Sequence, residues 1–301
     1  MTAPSGSARQ ELRSRAEKSI RLAIVGPQAW LAQCTPASVR GAHSIRTFSV
    51  SGHSSGDGLA EGLASFDPHV TVLLDIASLS SELLERAPGT TLGVLVDGIP
   101  PGGMSSRLEA VDRLLSFDPQ LTWEEIAGKE LWRAIPPPVG DRLFSDGQRR
   151  EGPPRALSIG VATPHREWML LPAKHHHDLL EVIQGAHEDH VRALFAGHDI
   201  GVYIPPEPTG GFGAEIGQHL AAGRLLLCGE LSPTHGLERG IDYLQVDTPD
   251  GLVWVLDRLA RFPGMYRRIR IRGRMKAEQY RASRVFSRLI HDLRADVGAF
   301  G

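Results

Sequence analysis

The first half of the chain alternates short apolar runs with segments of helical periodicity. Each apolar run is rich in Val, Ile or Leu and is bounded by Gly, Pro, Ser or Asp, which is typical of a buried strand. The predicted strands are 20–26, 43–50, 69–76, 91–97 and 113–117, and the predicted helices between them are 59–66, 79–86 and 104–113. Strands that alternate with helices at this spacing favour a parallel sheet with helices on both faces.

The same alternation begins again after a stretch that prevents regular structure. Three prolines at 136–138 and a polar, turn-forming stretch at 145–154 separate the two halves. From residue 263 onward the pattern predicts a long terminal helix, interrupted near Pro263 and Gly273. The predicted strands of the second half are 156–162, 179–183, 200–204, 225–228 and 243–246, and its predicted helices are 187–197, 214–222 and 251–262.

This organisation predicts an α/β protein of two Rossmann-like, doubly wound parallel-sheet domains that face a cleft. We assign residues 1–19 to a flexible leader, 20–145 to a first domain, and 155–301 to a second domain that ends in the basic terminal helix. Ligands in such sheets bind beyond the carboxyl ends of the strands. The cleft between the domains is therefore the expected binding site.

Composition narrows the class of protein. The 301 residues are 41% hydrophobic and 23% charged, an ordinary globular balance, and the formal net charge of −2 argues against a general nucleic-acid binder. Without a long apolar run or a secretion signal, and with only two cysteines, the cytoplasm is the expected compartment. The sequence contains no Walker loop, no Gly-x-Ser-x-Gly elbow and no paired-cysteine zinc motif, which argues against P-loop ATPases, serine hydrolases and zinc fingers.

The segment most informative about function is a glycine-rich turn that leads into a helix, at residues 210–227. Backbone amides that open a helix after such a turn attract phosphate groups, and Gly223 is well placed to end the helix. Glu215 and Gln218 lie three residues apart, so they share a helix face that offers hydrogen bonds to sugar hydroxyls. A buried helix with a glycine cap explains the same pattern without a ligand, and both interpretations stay open at this point.

The run 212–227 resembles the nucleotide-sugar-binding segment of GT-B glycosyltransferases, in particular the group-1 enzymes and their spore-maturation-protein-like relatives. Further matches at 135–141, 159–167, 240–244 and 263–274 extend the resemblance over about residues 130–295. It implies a glycosyltransferase, with a nucleotide-diphosphate sugar as co-substrate and an unknown glycan, lipid or small-molecule acceptor.

This sequence departs from the family at two positions. The family's two glutamates, which bind the donor sugar and the ribose, fall at Gly210 and Gln218. Gln218 still hydrogen-bonds without charge, whereas Gly210 has no side chain. The departure favours, as the alternative, a catalytically inactive GT-B-like scaffold that binds a nucleotide, a glycan or a protein partner.

Arg166 is the candidate for binding the donor diphosphate. It follows the first predicted strand of the second domain by a short loop, where a guanidinium offsets leaving-group charge without a metal. A surface ion pair with Glu167 is the other interpretation, and Lys174 is a weaker candidate for assisting Arg166 in binding the donor. No cofactor is expected. The expected donor-binding residues besides these are Gly211, Phe212, Gly213, Glu215 and Gln218.

An inverting transfer needs a base that faces the acceptor. Asp97 is the candidate, because it ends a predicted strand at the rim of the first sheet. Asp75 ends the preceding predicted strand in the same way, and either aspartate can instead cap the next turn. Three consecutive histidines in the run 174–177 cannot all face one ion from a regular element, so we expect a surface run and no metal site. His219 and His235 lie near the expected donor cleft, where each is either a ligand contact or structural.

The terminal segment is strongly basic. Residues 261–294 contain eleven Lys or Arg and two acids, Glu278 and Asp292. We weigh a solvated helix face, contact with an anionic membrane, and nucleic-acid binding, which is the least favoured of the three. Apolar residues among the arginines at 269, 271 and 275 indicate that part of this helix is buried.

Overall fold

The structure, a computed structural model, forms two parallel sheets and confirms the predicted α/β class. The first sheet has six strands in the order β2-β1-β3-β4-β5-β6, and every pairing in it is parallel. Its strands are β1 Ile20–Pro27, β2 Ala42–Val50, β3 Val70–Leu74, β4 Thr90–Leu95, β5 Arg113–Ser116 and β6 Leu131–Ala134. The described residues are 20–50, 56–96, 104–121, 126, 129–144, 154–176, 180–183, 188–208 and 211–300.

Helices cover both faces of the first sheet, because successive strand residues point to opposite sides. On one face Leu22 and Ile24 pack against α1 and the last helix of the chain, α10. On the other face Ala23 and Val25 pack against the remaining helices of this half. The helices of this half are α1 Gln28–Cys34, α2 Gly56–Phe66, α3 Ser81–Arg86 and α4 Ser105–Glu109.

The second sheet has five parallel strands in the order β11-β10-β9-β7-β8. Helices α5 and α8 pack on one face of it, and α7 packs on the other. Its strands are β7 Ala156–Ile159, β8 Leu180–Ile183, β9 Ile200–Tyr203, β10 Leu225–Cys228 and β11 Leu244–Gln245. The helices of this half are α5 Pro164–His176, α6 Glu188–Gly197, α7 Ala214–Ala221, α8 Pro249–Arg261, α9 Arg267–Ala277 and α10 Ala282–Phe300.

The last helix returns to the first sheet. Val285, Phe286 and Leu289 of α10 are buried in the same core as β1, although they follow the second sheet in the chain. The returning segment is hydrogen-bonded to the linker, the segment that follows β6 and leads to the second sheet. The Val139 amide donates to the Tyr280 carbonyl, and the Val139 carbonyl accepts from the Ala282 amide, both at 2.8 Å. The two crossings of the chain between the domains therefore lie side by side.

Three elements were not predicted, and one predicted break is wrong. The pattern did not indicate α1, α5 or the edge strand β6, whose residues are at most half-buried. The terminal helix does break near Pro263, but it continues through Gly273 and ends only at Ala277. Gly273 is required for packing instead: a Cβ there would overlap the Asp242 carbonyl and lie 2.8 Å from a Leu220 methyl group.

Candidate functional site

Arg166 lies at the carboxyl end of the second sheet, on the first turn of α5. Its Nε donates to the Ile204 carbonyl at 2.6 Å, and its Nη1 donates to the Val161 carbonyl at 3.1 Å. A Cβ at Gly160 would overlap the guanidinium, so the loop after β7 passes over it only as glycine. The side chain is 9% exposed. These contacts tie the ends of β7 and β9 together, rather than forming the alternative surface ion pair with Glu167.

Tyr203, the last residue of β9, joins Arg166 to the glycine turn. The guanidinium carbon lies 5.7 Å from the ring centre, within the range of a cation–π contact. The hydroxyl donates to the Gly211 carbonyl at 3.1 Å. Burial, followed by the nearby Glu215 carboxylate, raises the pKa of the phenol, so it remains a hydrogen-bond donor. Sequence reasoning missed Tyr203, although an aromatic hydroxyl ending a predicted strand just before a glycine turn was the available signal.

The glycine turn enters α7 without a side-chain cap, because Gly213 occupies the N-cap position. A Cβ at Gly213 would lie 2.5 Å from Cε2 of Tyr203 and 2.5 Å from Oε2 of Glu215. Glycine at this position therefore lets both side chains close on the turn. The Glu215 carboxylate lies at the helix N-terminus, where negative charge is electrostatically favourable. The structure thus gathers Arg166, the turn and Glu215 around Tyr203.

The body of α7 is buried behind this cluster. Gln218 is 3% exposed and His219 is 1% exposed. The His219 ring meets Phe195 edge-on at 4.9 Å. Burial, together with the charges of Arg224 and His198, lowers the pKa of His219 to about 3. His219 is therefore a neutral core residue, and the contact of Gln218 with a ribose stays a prediction.

His235, in the loop between β10 and β11, connects the glycine turn to the first domain. Its Nε2 lies 2.8 Å from the Phe117 carbonyl oxygen, just beyond β5. The Phe212 ring packs edge-on against the imidazole at 4.8 Å and against Tyr280 at 5.6 Å. The backbone of His235 has φ +45°, which is uncommon for a non-glycine residue. The two domains therefore touch beside the turn, with Phe212 holding the turn against the bridging loop.

Lys174 lines a pocket of about 270 Å³ beside the loop after β7. Arg166 and Glu167 contribute to the same pocket, and Gly160 and Val161 form its loop side. The structure therefore brings Lys174 and Arg166 to one pocket, and Arg166 is shared with the Tyr203 cluster.

Asp75 follows β3 at the carboxyl edge of the first sheet. Its φ of +57° lies in the left-handed region, which aspartate adopts more readily than most residues with a side chain. The side chain is half-buried. Asp97, the predicted base, lies outside the described residues. Asp75 is therefore the one of these two acids whose place in the fold is known.

A larger pocket, of about 880 Å³, lies on the first domain between α1, β2 and the linker. Hydroxyl, amide and guanidinium groups line it, which is typical of a site for a polar, hydrogen-bonding molecule. These polar residues are Gln28, Thr35, Thr47, Ser49 and Arg142.

Within the described ranges, no three His, Cys, Asp or Glu side chains are grouped to hold a metal ion. The histidine run closes α5 at His176, and His177 lies outside the described residues. Among the helices that the structure describes, none has the length and apolar character needed to cross a bilayer.

No family model matches the chain, and no curated protein matches it. Solved structures are similar over nearly its whole length. A glycosyltransferase from Rickettsia africae has a TM-score of 0.58 at 11% identity, covering 93% of this chain and 99% of its own. Sucrose-phosphate synthase from Thermosynechococcus elongatus has a TM-score of 0.57 at 12% identity, covering 93% and 100%. HepE from Anabaena, solved with UDP-glucose, has a TM-score of 0.56 at 9% identity, covering 92% and 100%.

At these identities the likeness concerns the fold. The narrower resemblance to spore-maturation-protein-like relatives stays a prediction. The two facing parallel-sheet domains and the returning terminal helix give this chain the GT-B fold of its glycosyltransferase neighbours.

Proposed function

We propose that this protein transfers a glycosyl unit from a nucleotide-diphosphate sugar to an acceptor hydroxyl. One observation carries the proposal: a buried arginine, a tyrosine and a helix N-terminus without a side-chain cap meet at the carboxyl edge of the second sheet. In this fold that edge faces the first domain, and HepE was solved with UDP-glucose.

The donor would lie across the glycine turn. In this assignment Arg166 and the amides after Gly213 stabilise the diphosphate as it leaves, and Lys174 adds positive charge. Glu215 and Gln218 accept hydrogen bonds from sugar or ribose hydroxyls. The cation and the helix amides supply the electrostatic stabilisation that a metal supplies elsewhere, so we propose metal-independent transfer.

The acceptor would approach from the first domain. Its hydroxyl oxygen forms a bond to the anomeric carbon, the bond from that carbon to the diphosphate oxygen breaks, and the nucleoside diphosphate leaves. For an inverting reaction the acceptor proton passes to an aspartate at the rim, Asp75 or Asp97. The polar pocket of about 880 Å³ beside α1 is the proposed place for a hydroxylated acceptor.

Binding of nucleoside diphosphates and their sugars, measured by calorimetry, tests the donor site. We expect one nucleoside diphosphate and its sugars to bind. Tyr203→Phe should weaken that binding by about fivefold, because the substitution removes the hydrogen bond that holds Gly211. Tyr243→Phe, just before β11 and outside the cluster, is the matched control. If no nucleotide binds to the folded protein, or if both variants behave alike, the assignment of the site is wrong.

The second candidate is a scaffold that binds a nucleotide or glycan without turnover. The burial of Gln218 and the absence of a carboxylate at 210 and 218 favour it. Release of nucleoside diphosphate from a bound donor separates the two: release, with or without an acceptor, indicates the enzyme. Donor binding without release over a panel of polyol and glycan acceptors indicates the scaffold.

A further inference from the structure

The helix α9 and the turn before it expose apolar side chains to solvent. Phe262 and Met265 of the turn are 56% and 46% exposed, and Ile271 and Met275 of the helix are 45% and 64% exposed. Part of the helix is buried, as predicted, but Ile271 and Met275 do not belong to that part. The helix instead packs through the opposite side, where Gly273 and Ala277 are buried.

The exposed apolar residues lie in the middle of the outer face of α9. At about 100° per residue, Ile271 and Met275 are adjacent on the helix surface, with Arg267 on one side and Arg268 and Arg272 on the other. A helix face that only meets water normally carries polar residues at its centre. Here the centre is apolar and its margins are cationic.

The charge of this surface is of one sign. Residues 261–277 contain seven Lys or Arg and no acid. Arg272 approaches the Asp242 carboxylate at 3.8 Å, but that carboxylate is 1% exposed, so it adds little negative charge to the outer face. No described carboxylate forms an ion pair with Arg267 or Arg268. The surface therefore attracts anions.

A pocket of about 380 Å³ adjoins the same turn. Arg267, Arg270 and Tyr266 line it on the α9 side, and Asp199 contributes the one carboxylate. It opens at the amino ends of β9 and β10, on the side of the second sheet away from the glycine turn. Its cations and the tyrosine hydroxyl suit a phosphate group, and its place beside exposed apolar side chains suits a phosphate at the end of an apolar chain.

We propose that α9 and the turn before it form a docking surface for an anionic phospholipid bilayer. The apolar side chains enter the interfacial region, and the flanking arginines contact the headgroup phosphates, which is the arrangement of interfacial helices. Charge argues against a second copy of this chain as the occupant, because two such faces would repel each other. The surface would hold the protein at a membrane whether or not it transfers a sugar.

Co-sedimentation with vesicles tests this docking. The intact protein is mixed with vesicles of pure phosphatidylcholine, or of phosphatidylcholine with 30% phosphatidylglycerol by mole (about one lipid in three), at low and moderate salt. We expect binding to the anionic vesicles only. Replacing Arg267 and Arg268 by Gln should weaken it about fivefold per residue. Replacing Ile271 and Met275 by Ser should weaken it by a further factor of at least about five.

Matched variants on other surfaces control for general charge and hydrophobicity. Arg40→Gln with Arg86→Gln removes two exposed charges from the first domain, and Trp168→Ser with Leu171→Ser removes two exposed apolar side chains from α5. Both pairs should leave vesicle binding unchanged.

Four results would overturn the docking proposal. The first is no binding to anionic vesicles, and the second is equal weakening by the control pairs. The third is vesicle binding that is lost when Arg267 and Arg268 are replaced but unchanged when Ile271 and Met275 are replaced. That result would show charge attraction without insertion of the apolar side chains. Tighter binding to a 20-nucleotide RNA than to vesicles at the same salt would identify a nucleic-acid surface instead. None of these readouts depends on donor binding, so this proposal and the proposed function fail separately.

Discussion

The buried imidazole of His219 should make the protein sensitive to mild acid. The ring is 1% exposed, neither of its nitrogens has a described hydrogen-bond partner, and burial lowers its pKa from 6.5 to about 3. In the unfolded chain the imidazole takes up a proton near pH 6.5, whereas in the folded protein it stays neutral. Because the folded pKa is the lower one, the stabilisation is complete above pH 6.5 and is lost as the pH falls toward 3.

The size of the effect follows from the difference between the two pKa values. Each pH unit between them costs about 1.4 kcal/mol of unfolding free energy, so pH 5 should cost roughly 2 kcal/mol relative to pH 7.5. The nearby charges of Arg224 and His198 act in the same direction. His219→Leu removes the titrating group and keeps an apolar side chain of similar size against Phe195.

Urea unfolding of the wild type and of His219→Leu at pH 7.5 and pH 5 measures this difference. The variant should lose roughly 2 kcal/mol less than the wild type between the two pH values, whatever its stability at pH 7.5. Gln218→Leu, the replacement of a neighbouring buried polar side chain that does not titrate, should keep the wild-type pH dependence. Equal acid losses in the wild type and His219→Leu would refute the assignment of a neutral, desolvated His219.

Three further outcomes are expected. Gly213→Ala should lower the free energy of unfolding, measured in urea, by about 1–3 kcal/mol. At Gly211 the atom nearest to an added Cβ is 4.0 Å away, so Gly211→Ala should change that free energy by less than about 0.5 kcal/mol. The hydrogen bond from Arg281 lowers the pKa of Glu278 to about 2. The stability that this ion pair contributes is therefore lost as the pH falls from 4.5 toward 2. In Glu278→Gln the melting temperature measured by calorimetry should depend less on pH in that range. Burial raises the pKa of Cys34 to about 12, so a thiol reagent should modify it only as fast as the protein unfolds.

Much of the architecture was accessible from the sequence because its signals are local. The apolar runs of β1 and β10 are bounded by turn residues, and Gly223 ends α7 with a φ of +70°, as predicted. The edge strand β6 was not predicted. An edge strand has a neighbouring strand on one side only, so its residues are more exposed and need not be apolar. Gly273 suggested a break because glycine is a poor helix former, and nothing local reveals that another chain segment lies against it.

The candidate site was predictable only in part. The glycine turn and Arg166 stood out, because glycines before a helix and an arginine after a strand are readable motifs. Tyr203 did not stand out, and His235 was placed near the cleft with its role left open, because both roles depend on contacts with Gly211 and Phe117 that only folding creates.

By itself, the sequence determined the alternation of strands and helices, the two parallel-sheet domains and the glycine turn, because periodicity and chain punctuation act over a few residues. Only the tertiary structure decided that α10 completes the first core, that Arg166 is enclosed beneath a loop, and that the apolar residues of α9 face outward. These outcomes depend on which segments, distant in the sequence, pack together. The hydrophobic effect has no direction, so an apolar pattern shows that a face is buried but not which segment buries it.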